Sequence, residues 1–220
     1  MRSPSVAEGP SVLHAGGEEV AGVLTRILHV SDVHCAAARL RRLLGSEKYD
    51  VVAATGDFEC VEAVEALREA GAPVVAVTGN LDGLPVAERL QELGFLIDGE
   101  LREEAGLVFA GVGGRDPLGD AERLLASPPR RVDVVLSHYP PRGLLDVTHS
   151  GCHGGLEAVR RLVEEVGPRL MLCGHIHEAR GVARLGDSLV VNAGPLLQGY
   201  YAVIELADGV PPGVRLGRLD

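Results

Sequence analysis

Several features are scarce in this sequence of 220 residues, and each scarcity excludes a class of protein. No apolar run reaches the length that spans a membrane, so no transmembrane helix is predicted. Residues 1–22 carry acidic side chains and no continuous hydrophobic segment, so we predict no signal peptide and expect a cytoplasmic protein. Basic residues number 21 against 31 acidic ones, and this net charge of −10 predicts no extended surface for nucleic acid.

Cysteine is also rare. The four cysteines, Cys35, Cys60, Cys152 and Cys173, show no Cys-x-x-Cys spacing and lie far apart in a chain too large to need disulfides. We therefore predict four free thiols.

Hydrophobic residues make up 46% of the chain, which excludes a disordered protein. The length predicts one domain over residues 25–220, preceded by a loosely ordered extension over residues 1–24 that is rich in Gly, Ser, Pro and Glu.

From residue 25 onward, strand-like and helix-like segments alternate. Short apolar runs predict strands at 26–31, 50–55, 73–78, 107–112, 132–137 and 169–173, and apolar spacing predicts helices at 36–44, 61–67, 85–93 and 156–166. The last third looks like antiparallel strands at 189–192, 200–206 and 213–219. The glycine run at 111–115 is interpreted as a tight turn, because Asp116-Pro117 does not clearly open a helix. This alternation predicts an α/β fold.

Polar side chains follow five of the predicted strands. They are Asp32 and His34, then Asp57, Asn80, His138, and finally His175 with His177. Each has an ordinary alternative, since Gly-Asp and Asn are common in turns and a His-x-His pair is often only solvated. Functional residues of α/β sheets gather beyond the carboxyl ends of strands, so we expect these seven to meet. Seven nitrogen and oxygen ligands exceed the needs of one ion and suit two that share a carboxylate.

The order D-x-H, G-D, G-N, H, G-H-x-H resembles the calcineurin-like metallophosphoesterase superfamily over residues 25 to about 206. The segments at 137–141, 145–146, 174–178 and 192–195 are similar to its small bacterial and archaeal phosphodiesterase-like members. The resemblance implies two packed mixed β-sheets flanked by helices, a four-layer α/β sandwich. It also implies a phosphohydrolase whose metal-bridging hydroxide attacks phosphorus in line.

The resemblance further implies a role for each ligand. Asp32, His34 and His177 would hold the first metal, and Asp57 would bridge the two metals. Asn80, His138 and His175 would complete the second site. Such a mixture of imidazole, carboxylate and amide ligands favours manganese or iron, with zinc as a further option, over magnesium or calcium.

One position departs from the family pattern. Many members carry a histidine after the Gly-Asn pair, where this chain has Leu81, which neither donates a proton nor binds phosphate. We therefore expect phosphodiesters to be preferred over monoesters among small phosphate-ester substrates. His149 or His153 would supply a substitute proton donor, and Asp82 would orient water or a ligand.

Three other functions are open to this fold. One is a non-catalytic scaffold, like the retromer subunit that resembles it and serves protein binding, but such a chain would not need all seven ligands. A DNA nuclease would want a basic groove. A protein phosphatase is disfavoured by Leu81.

Overall fold

The computed structural model describes residues 24–126 and 131–220. The predicted N-terminal extension, apart from Leu24, lies outside the described residues. Within them, the strands are β1 Thr25–Val30, β2 Val51–Thr55, β3 Val74–Val77, β4 Leu101–Glu104, β5 Leu107–Val112, β6 Val134–Ser137, β7 Leu170–Cys173, β8 Gly181–Leu185, β9 Ser188–Asn192, β10 Tyr200–Leu206 and β11 Gly213–Arg218.

Five α-helices and three short 3-10 helices complete the described part of the chain. The α-helices are α1 Ala37–Ser46, α2 Val61–Ala66, α3 Leu84–Glu92, α4 Pro117–Ala126 and α5 Glu157–Val166, and the 3-10 helices are Leu67–Glu69, His177–Ala179 and Leu196–Gln198. None of these helices is long and apolar enough to cross a membrane.

The strands form two mixed sheets. The first has the order β11-β10-β1-β2-β3, and the second has the order β4-β5-β6-β7-β9-β8. Within them β1, β2 and β3 run parallel to one another, as do β5, β6, β7 and β9. Two mixed sheets flanked by helices confirm the predicted α/β sandwich. Because each set of parallel strands ends at one edge, the loops that follow them share that edge.

The main core lies between the two sheets. Ile27 and Val75 of the first sheet and Phe109, Leu136 and Leu172 of the second belong to one cluster of fully buried side chains. Alternate residues of the same strands face outward and are covered by helices. Both faces of each central strand are thus buried, which explains why these strands are continuous apolar runs in the sequence.

Helix α5 shows how the outer layers are built. Its buried residues Val159, Leu162 and Val163 recur at helical spacing and belong to the same apolar cluster as Val135 and Met171 of the sheet. The helix ends at Gly167, which takes the left-handed conformation that glycine adopts without steric cost. Its polar face carries ion pairs between residues four apart.

Two predictions about secondary structure are wrong. Asp116-Pro117 does open a helix, α4: the Asp116 carboxylate accepts the Gly119 N–H at 3.2 Å and Pro117 is the first helical residue. Strand β9 is not purely antiparallel, because it pairs in parallel with β7 and antiparallel only with β8. Strands β4 and β8 were not predicted, and both are short edge strands in which every residue except Leu185 is exposed or half-buried.

The prediction of four free thiols is also wrong. Cys35 and Cys60 form a disulfide, with 5.5 Å between their Cα atoms. The physical reason is the topology: β1 and β2 are parallel neighbours, so the loops that follow them lie side by side although 25 residues separate the cysteines. Cys152 is free and exposed, and Cys173 is free and buried.

Candidate metal centre

The seven predicted ligands lie at the carboxyl edge of both sheets. Asp32 follows β1, Asp57 follows β2 and Asn80 follows β3, whereas His138 follows β6 and His175 and His177 follow β7. Hydrogen bonds join the two sheet ends here: the His138 ring contacts the Thr55 carbonyl, and the Gly114 N–H donates to the Thr78 carbonyl. The candidate centre therefore sits across the mouth of the sandwich.

A first group of ligand atoms is formed by Asp32, His34 and His177, which all lie within 4.8 Å of one another. His177 Nε2 is 3.2 Å from Asp32 Oδ1 and 3.4 Å from His34 Nε2. The hydrogen bond to Asp32 raises the pKa of His177 above its ordinary value. Asp32 is fully buried, whereas the two imidazoles are partly open to solvent. One carboxylate and two imidazoles are a common ligand set for divalent transition metals.

The orientation of His34 is set by Glu59. Nδ1 of His34 lies 3.0 Å from Glu59 Oε1, a charged contact without the alignment of a hydrogen bond, and because a carboxylate only accepts, this contact favours the tautomer with the proton on Nδ1. In the neutral ring Nε2 is then a bare lone pair, and it faces His177 Nε2. Ligating histidines are typically held in this way, with the far nitrogen donating to an oxygen.

A second group is formed by Asp32, Asp57 and His138, with Asn80 beside them. His138 Nε2 is 2.8 Å from Asn80 Oδ1 and 3.6 Å from Asp57 Oδ2. The Asp57 and His138 side chains are almost completely buried. Asp32 belongs to both groups, although the resemblance implies that Asp57 is the bridging carboxylate.

His138 repeats the pattern seen at His34. Its Nδ1 is 2.8 Å from the Thr55 carbonyl oxygen, which can only accept, so Nδ1 carries the proton. In the neutral ring the bare Nε2 points at the amide oxygen of Asn80, so two acceptors face each other 2.8 Å apart. A cation that both atoms bind removes this repulsion, so the donor set fits a divalent metal.

His175 lies against the second group. Its ring is 5.0 Å from that of His138 and 4.4 Å from that of Tyr139, and its backbone N–H donates to the Asp32 carboxylate at 3.1 Å. Burial, with His138 nearby, lowers the pKa of His175 to about 4. The ring is therefore neutral near pH 7, which is the state that binds metal.

The two buried carboxylates lie close together. Burial is the largest influence on Asp57 and raises its pKa, and the negative charges of Asp32 and Asp82 raise it further. For Asp32, hydrogen bonding from His177 and the charge of His138 outweigh burial, so its pKa is lowered. Adjacent buried carboxylates gain most from a shared cation.

The loops that carry these ligands have unusual backbone conformations. In the described residues, most non-glycine residues with positive φ lie at this centre: Asp32, His34, Cys35, Asp57, Glu59 and His175. Left-handed backbone is costly for such residues and persists only where neighbouring contacts enforce it. The local conformation thus serves the placement of side chains rather than the stability of the loops.

The glycines of the motifs admit neighbouring groups at close range. A Cβ on Gly79 would collide with the Asp57 carboxylate, and one on Gly174 would collide with the side chains of Ser31 and Asp32. Glycine is therefore required for steric reasons in both the Gly-Asn pair and the Gly-His pair. Behind them Asn192 donates to the Ile176 carbonyl at 2.9 Å and joins the two loops after β7 and β9.

The structure places the three other predicted site residues differently. Asp82 is buried and accepts from the Glu59 N–H at 2.8 Å and the Gly79 N–H at 2.7 Å, so its two oxygens hold the loops after β2 and β3. His153 pairs with Asp146 at 2.9 Å. The His149 side chain is 90% exposed. None of the three belongs to either ligand group.

Sequence reasoning missed Glu59, the Thr55 carbonyl and Arg180. Arg180 fixes the loop after β9, because its Nε donates to the Ala193 carbonyl at 3.0 Å. Of these, only Glu59 left a signal in the sequence: it is an acidic residue two positions after Asp57 in a loop at a strand end.

Known proteins share this sequence pattern and fold. Residues 25–209 match the calcineurin-like phosphoesterase superfamily domain. An uncharacterized protein of Methanocaldococcus jannaschii is 28% identical over 171 residues, covering 66% of this chain and 78% of that protein. The match extends over most of that relative's own length.

Two solved structures share the fold at low sequence identity. A novel archaeal phosphodiesterase superposes with a TM-score of 0.57 at 20% identity, over 88% of this chain and 99% of that one. Vacuolar protein sorting 29 of Cryptosporidium parvum superposes with a TM-score of 0.51 at 16% identity, over 90% and 98%. Because the family match spans most of the sequence, the chain belongs to the calcineurin-like phosphoesterase superfamily.

Proposed function

We propose that this chain is a phosphohydrolase that uses two divalent metal ions, and that its preferred substrates are phosphodiesters. Asp32, His34 and His177 would hold the first ion. Asn80, His138 and His175 would hold the second, and Asp57 would be a ligand of both. Manganese or iron suits this mixture of ligands better than magnesium or calcium, and zinc is a further option.

One observation supports this proposal above the others. His34 and His138 each have Nδ1 next to an oxygen that can only accept, which favours the tautomer with a bare Nε2 facing another ligand atom. A merely solvated or core histidine has no need of this arrangement. It occurs twice at one sheet edge, next to two buried carboxylates.

Two ions bound there would acidify a water molecule and offset the negative charge of a phosphoryl group. The protein's own contribution is placement. Glu59 and the Thr55 carbonyl fix the ring orientation of His34 and His138. Asp82 holds the loops of Asp57 and Asn80 together through the Glu59 and Gly79 amides.

The preference for diesters is argued from Leu81. This side chain is 52% exposed at the mouth of the centre, and its backbone N–H donates to Asp57 at 2.9 Å. A leucine supplies neither a proton for the leaving group nor a hydrogen bond for the extra negative charge of a monoester. A diester carries less charge and places a smaller demand on such a donor.

The test compares hydrolysis of bis-p-nitrophenyl phosphate with that of p-nitrophenyl phosphate, with manganese, iron, zinc and magnesium supplied in turn. We expect a higher kcat/KM for the diester with manganese or iron. Asp57→Asn is the control, because it keeps the shape of the side chain and removes its charge. A clear monoester preference would refute the argument from Leu81.

Hydrolysis of neither ester with any metal would refute the enzymatic proposal and favour the scaffold alternative. That alternative draws on the fold shared with vacuolar protein sorting 29. It does not account for a complete set of seven ligand residues with oriented histidines. We therefore propose the enzymatic function rather than the scaffold.

A further inference from the structure

A small pocket of about 320 Å³ adjoins the first ligand group. It is lined by His149, His177, Glu178, Arg180, Gln198 and Tyr200. His177 is thus shared between the candidate metal centre and the pocket. A group that reaches the first metal from this side would pass through it.

Arg180 is fixed in place at this pocket. It follows the 3-10 helix His177–Ala179, in which side chains three residues apart lie on the same side, so it comes close to His177. Its Nε donates to the Ala193 carbonyl and its Nη2 to the Gly217 carbonyl, both at 3.0 Å. The remaining Nη1 has no partner among the hydrogen bonds of the described residues.

A second arginine stands close by. The guanidinium carbon of Arg180 is 4.6 Å from the centre of the Tyr200 ring, and that of Arg218 is 5.2 Å from the same centre. Tyr200 and Arg218 are directly opposite each other on the paired strands β10 and β11. The Tyr200 ring of the pocket lining is therefore in contact with two positive charges, that of Arg180 in the lining and that of Arg218 next to it.

Neither of these two charges has a carboxylate partner in the described residues. Ten other arginines of the described residues form ion pairs with carboxylates. Arg180 and Arg218 are among the eight arginines of residues 24–126 and 131–220 that form none. Glu178, the acidic residue of the lining, accepts a hydrogen bond from the His149 backbone N–H at 2.5 Å. Two arginines without a carboxylate partner beside a candidate phosphoryl site suit an anion.

We propose that this pocket is a second anion subsite, which binds a phosphate group of the substrate other than the one that is hydrolysed. The inference rests on the proposed function, because it assigns the substrate as a phosphodiester that carries a further phosphate. The pocket volume is sufficient for a phosphate with part of the group that bears it.

The test uses two substrates that differ in a single phosphate: thymidine 5′-(p-nitrophenyl phosphate) with and without a 3′-phosphate. We expect the wild-type chain to have a KM about ten-fold lower for the 3′-phosphorylated compound. That factor corresponds to about 1.4 kcal/mol, which is the size of one charge-assisted hydrogen bond. Equal KM values for the two compounds would refute the subsite.

The variant Arg218→Gln isolates the subsite, because Arg218 is exposed and makes no contact with the metal ligands. It should remove the KM advantage of the phosphorylated compound and leave kcat/KM for the other within about two-fold. Arg184→Gln is the matched control, since Arg184 is also exposed without an ion pair in the described residues but lines a different cavity. Tyr200→Phe keeps the ring and should retain the advantage, whereas Tyr200→Leu should lose it.

A binding measurement separates this inference from the proposed function. Calorimetry of the metal-loaded full chain compares thymidine 3′,5′-bisphosphate with thymidine 5′-phosphate, and needs no turnover. If neither ester is hydrolysed but the bisphosphate still binds about ten-fold more tightly, and Arg218→Gln abolishes this difference, the proposed function is wrong and the subsite stands. A preference that Arg218→Gln leaves unchanged refutes the subsite.

Discussion

The two ligand groups share Asp32 but differ in how the protein holds them. In the first group the side chains of His34 and His177 are 12% and 35% exposed, whereas those of His138 and Asp57 in the second are 0% and 4% exposed. Burial between the sheet ends secures the second group, together with hydrogen bonds to the backbone at Thr55 and Leu81. The first lies near solvent, so its loops need additional bonds.

Those additional bonds are a carboxylate and a disulfide. Glu59 fixes the ring of His34, and the disulfide joins Cys35, the next residue, to Cys60, which follows Glu59. The loops of His34 and Asp57 are thereby linked twice within a few residues. The second group has instead the fitted glycine backbone at Gly79 and Gly114, where a Cβ would collide with neighbouring atoms. Packing replaces cross-links where the site is buried.

The largest expected effect comes from removing one ligand from each group. His177→Gln should deplete the first ion and His175→Gln the second, so that each variant retains about one metal per chain. Activity should fall at least about a hundred-fold in both, since even indirect partners of ligands contribute ten- to a hundred-fold. Metal analysis after dialysis checks the stoichiometry, and His149→Gln, at an exposed histidine nearby, should retain two ions. Two ions in both ligand variants would contradict the assignment.

A second prediction concerns the cross-link of the first group. Cys60→Ser should lower the free energy of unfolding by about 3 kcal/mol, because the unfolded chain loses the constraint of a loop of this length. It should also weaken the first metal more than the second, which competition with a chelator would measure. Cys152→Ser is the control, because Cys152 is free and exposed. Equal loss of both metals would show that the disulfide supports the fold and not the first group.

The difference between buried strands and the loops that follow them also explains how much could be predicted from the sequence. Buried strands are visible as apolar runs, and parallel strands end at one edge, so the polar residues that follow them could be expected to meet there. The α/β class and the placement of the seven residues at one edge depend on these rules, whereas the packing of two sheets into a sandwich was implied by the resemblance to the family. Their roles as ligands stay a prediction until metal is measured.

The rest depends on contacts between loops that are distant in sequence. The partners Glu59 and His34, and Cys35 and Cys60, are 25 residues apart in each case and meet only because β1 and β2 are neighbours. The hydrophobic periodicity of the sequence does not indicate such contacts between loops. Helix α4 is a different case: Asp116-Pro117 carried a start signal that the preceding glycine run obscured.

A third, smaller effect tests the packing beneath the second group. Asp120 accepts the Gly113 N–H at 2.7 Å, and burial, with the charge of Asp98 adding to it, raises its pKa from 3.8 to about 6. The folded state therefore holds a proton that the unfolded state has lost between pH 4 and 6. Stability should fall as pH rises through this window, by on the order of 2 kcal/mol.

Denaturant unfolding of the wild type and Asp120→Asn at pH 4, 5, 6 and 7 measures this effect. The asparagine keeps an oxygen for Gly113 and does not titrate, so its stability should depend less on pH across the window. Glu122→Gln, at an exposed residue of the same helix, should behave as the wild type. Parallel pH profiles for the wild type and Asp120→Asn would contradict the raised pKa of Asp120.

The smallest effect is expected at Leu81, where both groups face the substrate. Leu81→His places a donor beside Asp57 and should raise the ratio of monoester to diester hydrolysis a few-fold. A well-positioned general acid contributes about a hundred-fold or more, but the new ring would lack partners that orient it. Stability should change by less than about 0.5 kcal/mol, because the side chain is half exposed. Leu84→His is the control, because Leu84 is similarly exposed and lies three residues further on, and it should leave the ratio unchanged. An equal rise of the ratio in both variants would mean that the position after Asn80 has no special access to the leaving group.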